Sequence, residues 1–275
     1  MSMTNGKGEC APFLKWAGGK RWFVRRCLKT IPTKVNRYIE PFLGSGALFF
    51  ALEPRRAVLS DLNADLVNTF LAIKNDWKSV AAALGKYHVL HSKHFYYQMR
   101  DSKPRSAVGQ AAKFIYLNRT CWNGLYRVNV GGRFNVPIGS KDLVVLPTDD
   151  FEHVSGLLKG TVLLASDFEV VIDRAGHGDL IFADPPYVTA HSQNGFLKYN
   201  EKLFSWGDQV RLVKSLRAAK RRGARIVVTN ADTPAIRKLY EGSFRVRTIS
   251  RASIIAGSSA HRGMTNELVI TSERD

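Results

Sequence analysis

The chain has 275 residues, and its 41 Lys plus Arg against 23 Asp plus Glu give a formal net charge of +18 at pH 7. Hydrophobic residues make up 45% of the chain, which is enough to bury a core and excludes a disordered polycation for most of the length. The length suits one large domain, or a core domain that carries a smaller inserted one. No run approaches the roughly 20 apolar residues that span a bilayer, and the N-terminal MSMTNGKGECAP lacks an apolar signal region. We therefore expect a cytoplasmic protein without a membrane segment.

The strong positive charge predicts a polyanionic partner. The basic residues are spread through segments that also carry periodic apolar positions, and they are not gathered in a terminal arm or one amphipathic helix. A strongly basic protein is expected to bind nucleic acid, because neutralising phosphates releases condensed counterions. The spread of the basic residues favours such a folded nucleic-acid-binding protein over a membrane-surface protein. The cysteines Cys10, Cys27 and Cys121 form no CxxC pair, so we expect a reduced protein without disulfides.

Alternating apolar patterns predict an α/β fold in the first part of the chain. Strands are predicted from Arg37 to Glu40 and from Ala57 to Ser60. The first strand runs through the turn Pro41 to Gly46 into the apolar helix ALFFAL. The second strand is followed by a helix from Asp65 to Lys74, where apolar residues recur at helical spacing.

The middle of the chain loses this alternation. From Trp77 to about Pro147, helical runs such as Ala111 to Asn118 give way to the glycine-rich, aromatic and basic stretch TCWNGLYRVNVGGRFNVPIG. We therefore predict an inserted, mainly helical module over residues 76–147, within a main domain formed by residues 1–75 and 148–275.

The α/β pattern then returns. Ser205 and Asp208 predict a capping box that opens a helix ending near Gly223. Strands separated by helices predict a mostly parallel sheet with helices on both faces, and ligands bind beyond the carboxyl ends of such strands. Asp61 and Asp184 both follow predicted strands, so we expect both to face that crevice. The predicted strands of this part are Thr161 to Ala165, Leu180 to Ala183, Arg225 to Thr229, Phe244 to Ile249 and Leu268 to Thr271.

The turn EPFLGSGAL and the acid after the next strand indicate a nucleoside-binding site. Gly44 and Gly46 allow a sharp bend and close ligand approach, although an ordinary tight turn is equally consistent with them. Asp61 stands where ribose hydroxyls are gripped in related α/β folds. Phe49 replaces the third glycine of a dinucleotide fingerprint, which favours an adenosine cofactor without phosphates over the nicotinamide dinucleotide of a dehydrogenase.

The segment LIFADPPY is the strongest chemical signal in the chain. Two stiff prolines fix the Asp184 carboxylate and the Pro185 carbonyl as neighbouring acceptors, as an exocyclic amino group requires. Tyr187 offers a flat face on which a base can stack. Accepting both amino protons localises the nitrogen lone pair and directs it at an electrophile, which requires positioning and electrostatics but no metal.

Five motifs, in this order, resemble the DNA adenine methyltransferase family, and the resemblance covers nearly the whole chain. They are FLKWAGGK (13–20), EPFLGSG (40–46), LSDLNAD (59–65), LNRTCWNGLYRVNVGGRFNVPIG (117–139) and ADPPY (183–187). The resemblance implies a Rossmann-like methyltransferase fold, S-adenosylmethionine as cofactor and N6 methylation of a flipped adenine in double-stranded DNA, typically within GATC. It also implies a monomer acting on DNA without a metal. The insert at 76–147 would then be the target-recognition domain, and 1–75 with 148–275 the catalytic domain.

The resemblance also implies roles for individual residues. The catalytic pocket would comprise Asp184, Pro185, Pro186 and Tyr187. Cofactor contacts would come from Trp16, Lys20, Phe42, Gly44, Gly46, Asp61, Asp167, Phe168 and Asp184. DNA contacts would come from Lys15, Arg119, Trp122, Asn123, Leu125, Arg127, Asn135 and Arg262. Among the latter, Lys15 and Arg127 would read bases, since Arg or Lys facing a guanine edge is the commonest specific pairing.

Other functions fit parts of the pattern. The same scaffold could methylate cytosine N4, an RNA base or a glutamine amide, and a non-catalytic DNA-binding relic is a further alternative. The net charge of +18 argues against a protein acceptor, and retention of Lys20, Asp61 and DPPY argues against a relic. His88, His91 and His94 are three residues apart, which indicates a solvated or phosphate-facing helix better than a metal site.

Overall fold

The structure is a computed structural model that describes residues 10–28, 31–32, 34–129, 131–187, 204–252 and 264–272. Its strands are β1 Tyr38–Glu40, β2 Ala57–Asp61, β3 Thr161–Ala165, β4 Leu180–Ala183, β5 Arg225–Ala231, β6 Arg245–Ala252 and β7 Met264–Thr271. In the described part of the chain they form a seven-stranded sheet in the order β3-β2-β1-β4-β5-β7-β6. The predicted α/β class with a mostly parallel sheet is confirmed.

Parallel strands form the centre of this sheet. β1 pairs in parallel with β2 and β4, and β4 pairs in parallel with β5. β7 runs antiparallel to both β5 and β6. All four residues of β4 are buried, as a near-continuous apolar run predicts for a central parallel strand. The carboxyl ends of β1, β2, β4 and β5 therefore point to one edge of the sheet, and Asp184 follows β4 directly.

Most helices in the described residues begin at a residue whose side chain caps the first turn, whereas the helices that follow Lys20 and Gly46 have no such cap. Asn63 accepts a hydrogen bond from the backbone N–H of Leu66, and Ser205 with Asp208 forms the predicted capping box. None of the helices in the described ranges combines the length and apolarity that crossing a membrane demands. The helices are α1 Arg21–Cys27, α2 Ala47–Leu52, α3 Ala64–Leu90, α4 Lys93–Asp101, α5 Ala107–Thr120, α6 Phe151–Leu158, α7 Phe168–Ile172, α8 Trp206–Arg221 and α9 Pro234–Tyr240.

Helix α3 is much longer than the helix predicted from Asp65 to Lys74. It continues to Leu90 through a kink at Asp76, whose φ of −150° and ψ of 63° are not helical. Asp76 Oδ1 accepts a hydrogen bond from the N–H of Ser79. This local cap restarts the helix after the kink, so two helical segments follow each other where periodicity predicts only the first.

The described residues fall into two compact units. The first lies within Met1–Ile31, Leu43–Arg56 and Asp61–Ala165, and the second within Pro32–Phe42, Ala57–Ser60 and Ser166–Asp275. Aromatic residues build the core of the first unit, where the Phe13 ring lies 4.9 Å from Phe70 and 6.3 Å from Phe50. Aliphatic strand residues such as Ile181 and Val228, both fully buried, build the core of the second.

Candidate active site

The glycine turn before α2 holds the carboxylate of Asp61 in the first unit. The N–H of Gly44 donates to Asp61 Oδ2 at 3.0 Å, and the N–H of Asn63 donates to Asp61 Oδ1 at 3.0 Å. Gly44 and Gly46 have φ of 49° and 67°, the left-handed region that favours glycine. Burial raises the pKa of Asp61, while backbone hydrogen bonds act against that shift. The carboxylate is thus fixed at the end of β2, as the motif predicted.

Trp16 and Lys20 accompany Gly44 and Asp61 in the first unit. A Cβ atom at Gly44 would lie only 2.8 Å from Trp16 Cδ1, so the indole packs where only a glycine fits. Lys20 is buried, and its Nζ donates to the carbonyl oxygen of Gly18 at 2.9 Å. The first unit therefore supplies an aromatic ring, an anchored ammonium group and a fixed carboxylate.

Phe42, Asp167 and Phe168 lie in the second unit. The rings of Phe42 and Phe168 stack with centroids 5.5 Å apart. Asp167 Oδ2 accepts a hydrogen bond from Arg211 Nη2 at 2.9 Å, and the same guanidinium lies 4.7 Å from the Phe168 ring centroid. Asp167 Oδ1 also caps α7 by accepting from the N–H of Glu169. The acid and the two rings predicted to contact a cofactor thus lie beside each other.

Asp184 is oriented by a side chain of the neighbouring strand. Thr229 Oγ1 donates to Asp184 Oδ1 at 2.6 Å, and Thr229 is fully buried within β5. Pro185 is buried directly after Asp184 and restricts the backbone there, since its φ is fixed. The carboxylate is therefore held by its backbone and by one hydroxyl donor.

Tyr187 is anchored at its hydroxyl end. Its Oη donates to Glu267 Oε2 at 2.8 Å, and Glu267 is 1% exposed. Burial raises the pKa of Tyr187 well above its usual value, and the negative charges of Asp184 and Glu267 raise it further. The hydroxyl group therefore stays protonated as a donor to Glu267, which holds that end of the side chain in place.

Thr229 and Glu267 were missed by the sequence interpretation. Thr229 follows the apolar residues IVV of β5, and Glu267 precedes the apolar residues LVI of β7. A polar residue inside a buried strand needs a hydrogen-bond partner, so both positions carried a signal. Because each partner is more than 40 residues away in sequence, the sequence gave no means of identifying it.

Replacing Thr229 by valine should lower the rate of a reaction that depends on the Asp184 carboxylate by about 5- to 160-fold, because a carboxylate oxygen loses a hydrogen bond worth about 1–3 kcal/mol. Valine has nearly the same shape as threonine, so the strand remains packed. Thr229→Ser keeps the hydroxyl group and should recover most of the rate. Single-turnover rates of the three proteins test this. Equal rates for the valine and serine variants would remove the orienting role from the hydroxyl group.

Most of the described residues that were predicted to contact DNA are accessible to solvent. Trp122 is 55% exposed. Leu125 is half-buried, whereas the other accessible members are exposed: Lys15, Asn123, Arg127 and Asn135. Arg127 Nε donates to Asn135 Oδ1 at 3.0 Å, and the N–H of Asn135 donates to the Arg127 carbonyl at 3.2 Å. Two predicted DNA contacts thus face each other across one hairpin.

Lys15 is tied to the same part of the first unit. Its N–H donates to Asn118 Oδ1 at 2.9 Å, and Asn118 Nδ2 donates to the Lys15 carbonyl at 2.7 Å. A Cβ atom at Gly124 would lie 2.8 Å from Lys15 Cδ, so the lysine stem packs on the glycine. Although Lys15 is partly exposed, burial of the rest of its side chain is the main cause of its lowered pKa. The structure therefore places Lys15 beside the segment that leads into the hairpin.

Arg119 is not accessible to DNA, contrary to the DNA contact predicted for it. It is 1% exposed and forms two hydrogen bonds of 2.6 Å to Asp149. Its remaining donors bind the carbonyl oxygens of Phe13 and Val144. A guanidinium group enclosed by these acceptors stabilises the interior of the first unit, and we remove Arg119 from the DNA contacts.

The histidines of the middle segment show no metal-binding arrangement. His91 Nδ1 lies 2.9 Å from the hydroxyl oxygen of Tyr116. Among the residues that the structure describes, no cluster of three His, Cys, Asp or Glu side chains could hold a metal ion. Arg262, another predicted DNA contact, lies outside the described residues.

Comparison with known proteins identifies the family to which these motifs belong. A family model described as D12 class N6 adenine-specific DNA methyltransferase matches residues 16–254. The type II methyltransferase M1.LlaDCHI of Lactococcus lactis subsp. cremoris is 33% identical, with 98% of each chain covered. M.MjaIII of Methanocaldococcus jannaschii, also a type II methyltransferase, is 33% identical over 95% of this chain and 99% of its own. A DNA adenine methylase of Vibrio cholerae is 29% identical over 94% of both chains. The chain is therefore an adenine-specific DNA methyltransferase and belongs to the D12 class of N6 adenine-specific enzymes.

Proposed function

We propose that the protein transfers the methyl group of S-adenosylmethionine to N6 of a flipped adenine in double-stranded DNA, within GATC. The observation that carries this proposal is the oriented carboxylate of Asp184 beside the anchored ring of Tyr187. Asp184 Oδ1 accepts from Thr229 at 2.6 Å, and Tyr187 Oη donates to Glu267 at 2.8 Å. Both groups are thus fixed before a substrate arrives, which is how an enzyme lowers the cost of reorganisation during reaction.

The adenine amino group needs activation because its lone pair is delocalised into the ring. We assign one N6 hydrogen to the Asp184 carboxylate and the other to the Pro185 carbonyl, and we assign the stacking of the base to the Tyr187 ring. Removing the base from the duplex is required for this arrangement, since one N6 hydrogen otherwise pairs with thymine and the neighbouring bases cover both faces of the adenine ring. The bound cofactor would supply the methyl group and leave as a neutral thioether, and the amino nitrogen would gain positive charge and then release one proton to solvent water. The negative charge of Asp184 stabilises that change.

The first unit offers groups that fit S-adenosylmethionine. The Asp61 carboxylate, held by the N–H groups of Gly44 and Asn63, suits ribose hydroxyls as donors. The Lys20 ammonium suits the methionine carboxylate, and Trp16 offers an apolar face beside the glycine turn. When bound, this cofactor supplies an electrophilic methyl group on a sulfonium. The residues of the second unit proposed for the cofactor are Phe42, Asp167, Phe168 and Asp184.

The acceptor class can be tested with matched nucleic acids. We expect transfer of radiolabelled methyl groups to duplex DNA that contains GATC, and much slower transfer to an RNA duplex of the same sequence or to a DNA duplex without adenine. Acid hydrolysis and chromatography of the labelled DNA should yield N6-methyladenine. Label found in N4-methylcytosine, or found only in RNA, would show that adenine in DNA is not the acceptor.

Arg127 is proposed to read a guanine within the recognition site. It is exposed on the hairpin and is oriented by Asn135 Oδ1 at 3.0 Å. Arg127→Ala is expected to reduce discrimination at one position of the site by about 1–3 kcal/mol, while rates on other altered sites change little. The measurement compares kcat/KM on GATC and on duplexes that differ by one base pair. A uniform loss on every duplex would identify a phosphate contact instead of a base contact.

A further inference from the structure

Tyr126 joins Trp16 of the N-terminal motif to the hairpin whose arms pair Arg127 with Asn135. All of these residues lie in the first unit. Its ring stacks on Trp16 with centroids 5.8 Å apart and an interplanar angle of 22°. It also lies 4.8 Å from Phe114 of α5 and 5.7 Å from Phe134 on the opposite arm of the hairpin. One ring therefore contacts the N-terminal motif, helix α5 and the opposite arm of the hairpin.

The hydroxyl end of Tyr126 is fixed by α3. Tyr126 Oη donates to Asp65 Oδ2 at 3.0 Å. Asp65 lies in the first turn of α3, four residues after Asp61. The hydrogen bond thus anchors the hairpin to the segment that carries the proposed ribose ligand. The stack on Trp16 and the hydrogen bond to Asp65 together hold Tyr126 in this position.

The backbone transmits this position to the predicted base reader. Arg127 follows Tyr126 directly, and its carbonyl accepts from the N–H of Asn135 at 3.2 Å. A second hairpin bond of 2.8 Å joins the N–H of Asn129 to the Arg133 carbonyl. These two hydrogen bonds join the arms of the hairpin, so we expect a shift of Tyr126 to be passed to Arg127.

The ring also has room to move. Tyr126, Asp65, Phe114 and Phe134 line a cavity of about 400 Å³. Because this pocket is open to solvent and leaves the ring unpacked on one side, a displacement of the ring from Trp16 would meet little packing there. Contacts that hold the ring against Trp16 therefore select one position of the hairpin.

We propose that Tyr126 is a positioning residue that couples the cofactor site to sequence recognition. Binding of the cofactor against Trp16 and binding of the target site through Arg127 both favour the same stacked position of Tyr126. Each ligand therefore raises the affinity for the other, and by thermodynamic linkage the two factors are equal. This inference rests on the proposed function, because it takes Trp16 as a cofactor contact and Arg127 as a base contact.

The test measures two quantities in wild type and in Tyr126→Leu. The first is the ratio of cofactor Kd without and with a GATC duplex, using S-adenosylhomocysteine as the probe to prevent turnover. The second is the ratio of kcat/KM between GATC and a duplex with one base pair changed. We expect wild type to show cofactor coupling of about 5-fold or more, and Tyr126→Leu to lose most of the coupling and of the discrimination.

Two variants separate the hydrogen bond from the stack. Tyr126→Phe keeps the ring and loses the bond to Asp65, and it should give an intermediate loss. Tyr116→Phe is the matched control. Tyr116 lies in α5, and the substitution removes a hydroxyl group beside His91 Nδ1. In the described contacts Tyr116 touches neither Trp16 nor Arg127. It should retain both ratios. Thermal melting of each variant verifies that the fold is kept.

Each outcome has a separate meaning. If wild type methylates GATC specifically and Tyr126→Leu keeps both ratios, the coupling role is wrong while the proposed function stands. If Tyr126→Leu lowers cofactor affinity equally with and without DNA, the residue only supports the pocket, and the coupling role is again wrong. If wild type transfers no methyl group to DNA, the proposed function fails, and this is seen before any variant is compared.

Discussion

Replacing Asp184 by alanine is expected to lower the single-turnover rate of methyl transfer by about 10²-fold or more, because one preorganised group that stabilises developing charge contributes on that order. Asp184 is the acceptor that Thr229 orients at 2.6 Å. The side chain follows β4 and is half-buried, so its removal leaves the sheet intact. Cofactor and DNA affinity, measured by titration, should change far less than the rate.

Two further variants make this result specific. Asp184→Asn keeps an oxygen that can accept from Thr229 but removes the negative charge, so its rate should lie between those of alanine and wild type. Asp173→Ala removes an exposed carboxylate at the end of α7 and should leave the rate unchanged. A rate for Asp184→Ala within a few-fold of wild type would refute the catalytic role of this carboxylate.

Replacing Asp149 by alanine is expected to lower the free energy of unfolding by about 3–5 kcal/mol, since it leaves a buried charge without its partner. The side chains of Arg119 and Asp149 are 1% and 7% exposed, with oxygen and nitrogen 2.6 Å apart. The backbone carbonyls that also bind Arg119 cannot neutralise its charge. Denaturant titration of the variant measures the loss directly.

The matched control is an ion pair at the surface. Asp101 lies 3.3 Å from Arg100, but its side chain is 73% exposed. Asp101→Ala should therefore change stability by no more than about 1 kcal/mol. A similar small loss for Asp149→Ala would mean that Arg119 is compensated by other groups, and the structural role we assign to the pair would be wrong.

The elements of the sheet were predictable because local periodicity determines them. The apolar run from Leu180 to Ala183 and the capping box of Ser205 appear in the structure as predicted. The extension of α3 beyond Lys74 was not predicted, because the kink at Asp76 interrupts the periodicity on which such a prediction depends. Local signals therefore give the elements, whereas local irregularities shift their ends.

The chemistry of the site divides in the same way. Asp61 and Asp184 could be predicted from sequence motifs, since each lies at the end of a strand that the sequence identifies. The groups that orient or bury a motif residue come from distant positions: Thr229 is 45 residues from Asp184, and Asp149 is 30 residues from Arg119. Arg119 was consequently assigned to DNA because it lies in a motif that resembles the family, while its tertiary partners make it part of a buried ion pair.

The hairpin gives a third case. The sequence predicts Arg127 as a base reader from its motif, but it contains no signal that Tyr126 would stack on Trp16 or bind Asp65. Those contacts join segments separated by 110 and 61 residues in the chain. Side-chain packing between such segments follows from the folded structure and not from local pattern.

The most direct test of the account is to incubate the protein with S-adenosylmethionine and unmethylated plasmid DNA, and then to map methylated bases along the whole plasmid. We predict N6-methyladenine at GATC sites on both strands, with other adenines unmodified. If N6-methyladenine appeared in another fixed sequence, the catalytic role of Asp184 would stand and the proposed GATC specificity would be wrong. The absence of N6-methyladenine from plasmid exposed to cofactor-loaded protein would contradict the central claim.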